Sequence, residues 1–193
     1  MPDRRIFMAV LAAGSSRRFG KADKLTMPFH GKRLGEHVTD NAPLDLIAPG
    51  CARVIASRSG HPCEAAWSKA GFTVAINSDA VKGMGTSVAL AARLSIKAQC
   101  NALLIALADM PLVPRKHFAA LISKSLTKGA TLCSSDGKAR MPPVIFGQDF
   151  LPTLVSLNAD EGARALLHDA EALACPVEWL IDVDTPEALA RFG

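Results

Sequence analysis

Ile6-Phe-Met-Ala-Val-Leu-Ala-Ala-Gly-Ser-Ser-Arg-Arg-Phe-Gly-Lys-Ala-Asp-Lys24 begins as an apolar run and turns into small and cationic residues. Ile6–Leu11 reads as a first strand, buried on both faces because nothing polar alternates in it. The loop from Leu11 to Lys24 then lacks bulk. Gly14, Ser15 and Ser16 let backbone N–H groups approach an anion closely. Arg17, Arg18, Lys21 and Lys24 add positive charge. A triphosphate requires both dense donors and neutralisation. Two familiar phosphate-binding motifs do not fit. A P-loop has four residues between its glycines and then Gly-Lys-Ser/Thr. Here five residues separate Gly14 from Gly20, and Ala22 follows Lys21. The loop also lacks Gly-x-Gly-x-x-Gly, and Gly83-Met-Gly-Thr-Ser-Val88 lacks the third glycine. The plainer alternative is a tight turn with solvated charges.

Outward from this loop, apolar runs and amphipathic stretches alternate. Leu34–Asn41 is amphipathic. Arg53–Ser57 and Phe72–Ile76 read as strands, with a helix over His61–Ala70 between them, ended by Gly71 at the C′ position. Thr86–Lys97 reads as a helix burying Val88, Ala91, Ala92 and Ser95. Ala102–Ala108 is a continuous apolar run, expected of a central parallel strand. Pro114–Ser123 is a helix with proline at its start. Ala130–Ser134 and Val144–Phe146 are further strands, Glu161–His168 a helix, Val177–Ile181 a last strand, and Pro186–Arg191 a closing helix. This order predicts a single domain over residues 1–193, a three-layer α/β/α, Rossmann-like fold with a mostly parallel central sheet. Ligands of such sheets bind beyond the carboxyl ends of the strands, where strand order reverses. The loops after Leu11 and after Ala108 both leave such ends. Ser134–Pro143, rich in Ser, Gly, Lys, Arg and Pro, reads as a mobile loop facing substrate.

Composition narrows the function classes. The net charge is +4, which suits a small anionic substrate but not nucleic acid. Aromatic residues make up 5% and tyrosine is absent, so no platform for stacking successive bases is expected. No apolar run reaches bilayer-spanning length, so no membrane partner is expected. The start of the chain has the basic and apolar parts of a signal peptide, but Gly14 and the charges from Arg17 to Lys24 interrupt it. The five cysteines are scattered without C-x-x-C spacing, which points to neither zinc nor disulfides and fits a reducing cytoplasm. The five histidines are dispersed and form no motif.

Leu11-Ala-Ala-Gly-Ser-Ser-Arg-Arg-Phe-Gly20 resembles the loop of the MobA-like nucleotidyltransferase family, Leu-Ala-(Ala/Gly)-Gly-x-Ser-x-Arg-(Met/Phe)-Gly, which is soon followed by Lys. The likeness continues in order along the chain. It includes Pro28, Gly31, Lys32 and Glu36-His-Val38, then Gly83-Met-Gly-Thr-Ser87. Leu107-Ala-Asp-Met-Pro111, Pro143-Val-Ile-Phe146, Asp160-Glu-Gly-Ala-Arg164 and Asp182-Val-Asp-Thr-Pro186 follow. Within the family, Leu-Ala-Ala-Gly, Gly-Met-x-x-Ser and Asp-x-Gly-Ala-Arg are most similar to molybdenum cofactor cytidylyltransferases. Asp23-Lys24 looks more like the guanylyltransferase branch. Ala108-Asp-Met-Pro111 stands where the cytidylyltransferases usually have Gly-Asp-Gln-Pro.

The resemblance implies a Mg²⁺-dependent transfer of NMP from an NTP, by preference CTP, to the phosphate of molybdopterin, releasing pyrophosphate. A phosphate nucleophile is already ionised, so positioning and charge stabilisation are what remain for the protein. It implies that Leu11, Ala12, Ala13, Gly14, Ser15, Ser16 and Lys24 hold the nucleotide. Lys24 and Arg18 stabilise charge on the triphosphate. Asp109, ending the most apolar strand, offers Mg²⁺ a hard oxygen. Asp182 or Asp184 adds a second carboxylate, with Asp184 the metal ligand of the two, unless Asp184 instead N-caps the helix at Pro186. Gly85, Thr86 and Ser87 contact base or ribose, or merely cap a helix. Asp79 pairs with a base edge or serves a turn. Arg140 and Arg164, with Lys138 nearby, grip the acceptor, although Arg164 also has Glu161 at i, i+3 spacing. Two alternatives remain. One is transfer with GTP or onto another phosphorylated small molecule. The other is a non-catalytic module delivering cofactor to a molybdoenzyme or its chaperone, against which Lys24 and Asp109 argue.

Overall fold

The computed structural model describes residues 5–14, 19–20, 22–128, 131–158 and 166–193. β1 (Ile6–Leu11) is buried at every position, as a strand covered on both faces must be. It pairs in parallel with β4 (Ala52–Ala56) on one side and with β6 (Ala102–Leu107) on the other. β5 (Thr73–Ile76) adds in parallel beyond β4. On the far side of β6 lies β8 (Arg140–Gly147), antiparallel both to β6 and to β7 (Leu132–Ser135). β9 (Glu171–Ala174) closes that edge in parallel with β7. The order β5–β4–β1–β6–β8–β7–β9 makes a seven-stranded sheet in which β8 alone runs against the rest. A small antiparallel hairpin, β2 (Pro28–Phe29) and β3 (Lys32–Arg33), stands apart.

The helices are α1 (His37–Asp40), α2 (Glu64–Lys69), α3 (Met84–Lys97), α4 (Arg115–Lys128), α5 (Leu151–Val155) and α6 (Pro186–Phe192). α3 packs on β1, β4 and β6, and α4 on β7 and β8. The apolar face expected of α3 is the buried one: Val88, Ala91, Ala92 and Ser95 are all inside. Among the described residues no helix is long and apolar enough to cross a membrane.

Three expectations require correction. Val177–Ile181 is not a strand: Val177–Leu180 form a 3₁₀ turn behind Pro176. The last strand is β9, a short edge segment, three of whose four residues are exposed, without apolar alternation to announce it. It is held by tertiary contact, with Glu171 N–H donating to Thr131 C=O (3.1 Å) and Cys175 N–H to Ser135 C=O (2.9 Å). The helix expected over Glu161–His168 falls largely outside the described residues, and residues 166–169 form turns. The expected Ser134–Pro143 loop is mostly β7–β8 hairpin. Only residues 136–139 turn, where Asp136 Oδ1 accepts from the N–H groups of Lys138 (2.9 Å) and Ala139 (2.8 Å).

Gly71 follows α2 at φ +92, where an added Cβ would lie 2.7 Å from Leu44 Cδ1. The left-handed backbone carries the cost, because Leu44 Cδ1 is the end of a side chain that can move aside, so Gly71→Ala is expected to lose about 1–2 kcal/mol of stability. Urea unfolding checks this; an unchanged midpoint would mean that the turn accepts a side chain without strain.

The site is positioned by the centre of the sheet. The chain runs from β1 to β4 and β5 on one side, then returns to β6 on the other, with Leu11 opposite Leu107. Strand order reverses between β1 and β6, which opens a crevice beyond their carboxyl ends.

Candidate active site

Asp109 stands two residues beyond β6, at the mouth of that crevice. Its backbone carbonyl accepts a hydrogen bond from Val183 N–H at 2.9 Å. This bond brings in a segment 74 positions later in the chain. Val183 is fully buried, and the backbone is extended at Ile181 and Thr185, the two residues that flank Asp182–Asp184. Side chains of an extended segment alternate, so Asp182 and Asp184 face away from the Val183 side chain together. The result is a cluster in which Asp109, Asp182 and Asp184 each offer a carboxylate oxygen within 4.8 Å of the others.

Lys24 enters this cluster from the loop after β1. Its Nζ lies 2.5 Å from Asp109 Oδ2, hydrogen-bonds Asp184 Oδ1 and is 3.9 Å from Asp182 Oδ1. The residue is 7% exposed, so its ammonium is compensated by carboxylates more than by water. Burial works against the charged form, but Asp109, Asp184 and Asp182 together outweigh it and hold the lysine above its ordinary pKa. Asp182 is pushed up to about 7, first by burial and then by the Asp109 charge, with Lys24 offsetting only part of this.

The donor set suits a hard divalent cation. Carboxylate oxygens are the ligands that Mg²⁺ takes, and opposite oxygens around it lie about 4.2 Å apart, near the spread of this cluster. Asp109 Oδ1 is buried and has no hydrogen-bond partner among the described residues, leaving an acceptor inside the cluster for a cation.

Other site candidates have different surroundings. Ala12 N–H donates to Ile55 C=O (2.8 Å) and Leu11 C=O accepts from Ala108 N–H (3.0 Å), so the sheet already engages these two groups. Ala13 and Gly14 lead out of the strand, and nothing lies within 4 Å of where a Gly14 Cβ would stand. Ser15, Ser16, Arg17, Arg18 and Lys21 lie outside the described residues, as do Glu161 and Arg164. Gly85, Thr86 and Ser87 occupy the first turn of α3 and are buried. Asn77 Nδ2 donates to the Thr86 and Ser87 hydroxyls, both at 2.9 Å, and Thr86 Oγ1 also reaches Gly83 C=O (2.8 Å). These hydroxyls brace the turn over residues 77–83. Asp79 is exposed and paired with Lys82 at 2.7 Å. Arg140, exposed at the start of β8, donates from Nε to Ala170 C=O (3.0 Å). Asp184 does not cap α6; the Thr185 hydroxyl does, accepting from Ala188 N–H at 3.2 Å.

Two parts of this neighbourhood escaped sequence reading. Asn77 carries only the weak signal of an asparagine directly after a strand. His61 belongs to no motif, yet its side chain reaches Asp23 beside Lys24.

Residues 8–174 match the family model described as MobA-like NTP transferase domain. Among curated proteins, the purine catabolism protein PucB of Bacillus subtilis (strain 168) is 32% identical, the match covering 92% of this chain and 90% of PucB. A molybdenum cofactor guanylyltransferase of Shewanella sp. (strain ANA-3) is 26% identical, over 98% of this chain and 95% of its own. The crystal structure of Rv0371c from Mycobacterium tuberculosis H37Rv superimposes with a TM-score of 0.76 at 22% identity, covering 100% of this chain and 98% of that one. A complex of Rv0371c with manganese gives 0.67 at 20% identity, covering 97% of each chain. At these identities the superpositions speak for the fold, whereas the family model and PucB speak for descent. The chain belongs to the MobA-like NTP transferase family.

Proposed function

We propose that this nucleotidyltransferase moves a nucleotidyl group from CTP to the phosphate of molybdopterin, with Mg²⁺ as its metal. The observation that carries the reading is the Lys24–Asp109–Asp182–Asp184 cluster at the strand-order reversal between β1 and β6. A phosphate oxygen of the acceptor attacks the α-phosphorus. The bond from that phosphorus to the bridging oxygen breaks, and pyrophosphate leaves with the electron pair. No side chain takes a proton, because the nucleophile is already an anion.

Asp109 and Asp184, with Asp182 beside them, would hold the cation. A divalent ion there supplies Lewis-acid stabilisation of the phosphoryl oxygens. Lys24 supports the negative charge that develops on the leaving pyrophosphate, and Arg18 joins it from the same loop. Ala13 and Gly14, followed by Ser15 and Ser16, offer backbone groups to the triphosphate from where Leu11 and Ala12 leave the sheet, while Gly85, Thr86 and Ser87, with Asp79, form the nucleoside side. Arg140 and Arg164 receive the acceptor's anionic group; Arg140 keeps its planar fork for this while Nε anchors it to Ala170. The five cysteines are free thiols, in keeping with a reaction in a reducing cytoplasm.

GTP is a second reading, favoured by the Asp23-Lys24 ending of the loop and by the guanylyltransferase relatives. One experiment separates the two: incubation with molybdopterin, Mg²⁺ and each NTP in turn, following pyrophosphate and the dinucleotide product. The expected result is turnover with CTP. Turnover with GTP alone would transfer the assignment to the second reading, and no turnover with any NTP would overturn both.

A further inference from the structure

We infer that His61 is a positioning residue for Lys24, acting through Asp23. This rests on the role given to Lys24 under the proposed function. Lys24 must hold its ammonium at the carboxylate cluster from a 3₁₀ turn of only three residues, Lys24–Thr26. So short a turn has little cooperative stability of its own and must be fixed from outside.

Asp23 does the fixing from the turn's N-terminal side. Its Oδ1 accepts from Leu25 N–H (3.0 Å), and its backbone carbonyl accepts from Thr26 N–H (3.0 Å) and from the Thr26 hydroxyl (2.7 Å). The other carboxylate oxygen, Oδ2, lies 2.9 Å from His61 Nε2. His61 in turn has no freedom to move. It is 5% exposed, its ring stacks on Trp67 with centroids 4.7 Å apart, and its Nδ1 accepts from Cys63 N–H at 3.1 Å. An accepting Nδ1 leaves the proton on Nε2, so the imidazole donates to Asp23. That bond holds the Asp23 carboxyl below its ordinary pKa. Trp67 is itself anchored, with Nε1 donating to Gly35 C=O at 2.7 Å. A second contact grips the same turn, Cys63 Sγ donating to Leu25 C=O at 3.4 Å. A rigid path thus runs from Trp67 through His61 and Asp23 into the backbone that carries Lys24. Positional errors of about 1 Å can cost up to roughly 10²-fold in rate, which gives such a path catalytic weight.

The test uses His61→Phe, which keeps an aromatic ring against Trp67 but removes both nitrogens, and His61→Gln, whose amide can still donate to Asp23. Asp23→Ala removes the same link from a partly exposed position, so it serves if His61→Phe does not fold. Two readouts are taken. The first is kinetic: kcat is expected to fall about 10-fold in His61→Phe and in Asp23→Ala with KM for the NTP nearly unchanged, and to recover within about 3-fold in His61→Gln. In a Lys24→Ala background, His61→Phe should cost nothing further, because the two act as one unit. Equal losses in both backgrounds, or a loss confined to KM, would overturn the inference. The second readout needs no nucleotide: the Lys24 Nζ resonance in ¹⁵N NMR, assigned by its absence in Lys24→Arg. It should be sharp in the wild type and in His61→Gln, and lost in His61→Phe. If the wild type turns over no NTP, the proposed function has failed, while this resonance still decides whether His61 fixes Lys24. An unchanged resonance in a folded His61→Phe, or in Asp23→Ala where that variant stands in for it, would sink the idea.

Discussion

Pyrophosphate release is expected to stop in Asp109→Ala, with a loss of roughly 10³-fold or more, while the fold survives. Under the proposed function the variant loses a metal ligand together with the charge stabilisation it brings to the phosphoryl oxygens, which sets the magnitude. Survival of the fold follows from how Asp109 is built in. Its structural bond is made by its backbone carbonyl to Val183 N–H, and alanine keeps that bond. Its Oδ1 has no hydrogen-bond partner among the described residues, and although its Oδ2 pairs with Lys24, Asp184 and Asp182 remain beside that ammonium as counter-charges when Asp109 is removed. A coupled pyrophosphate assay, run beside circular dichroism and thermal melts, checks both halves. Turnover at the wild-type level would remove Asp109 from the metal site. Isothermal titration with Mn²⁺ provides a reading apart from catalysis, and the variant should bind the ion at least about 10-fold more weakly.

Lys24→Ala is the second large effect: kcat should fall about 10²-fold or more, on the scale of losing one charge contact made in the transition state. A change confined to KM would mean that Lys24 holds ground state and transition state alike. Arginine should not restore the rate. The Lys24 ammonium fits a nearly enclosed place between Asp109 and Asp184, and a planar guanidinium is wider than that point charge. Steady-state kinetics of Lys24→Ala and Lys24→Arg together check the claim, and a fully active arginine variant would show that position, not shape, is what the site requires.

Much of this molecule is written locally. Ile6–Leu11 and Ala102–Leu107 are legible as inner strands because continuous apolar runs have no other stable use at that length than burial on both faces. The amphipathic period of α3 is legible for the same reason, since a helix must turn one face inward. Asp109 stands out in the sequence as a carboxylate directly beyond the most apolar strand. The order of strands and helices further implies a crevice at the carboxyl ends of the sheet.

What the chain could not announce were the features made by contact between distant segments. β9 has no alternation to reveal it; it exists because β7 offers an unpaired edge. Val177–Leu180 has strand-like composition, but it follows Pro176 and turns instead. From residue types alone Asp184 was equally a helix cap or a ligand. In the structure Thr185 makes the cap, and the Val183–Asp109 hydrogen bond brings Asp182 and Asp184 beside Asp109. His61 lies 38 positions from Asp23 and carries no motif, so only the packing of Trp67 beneath it gives it a place beside Lys24. The sequence by itself determined the fold class, the family and the residue types of the loop from Leu11 to Lys24, because periodicity and motif spacing are local properties. The tertiary structure alone decided which charges meet, because carboxylates far apart in the chain converge on one lysine only after the sheet has folded.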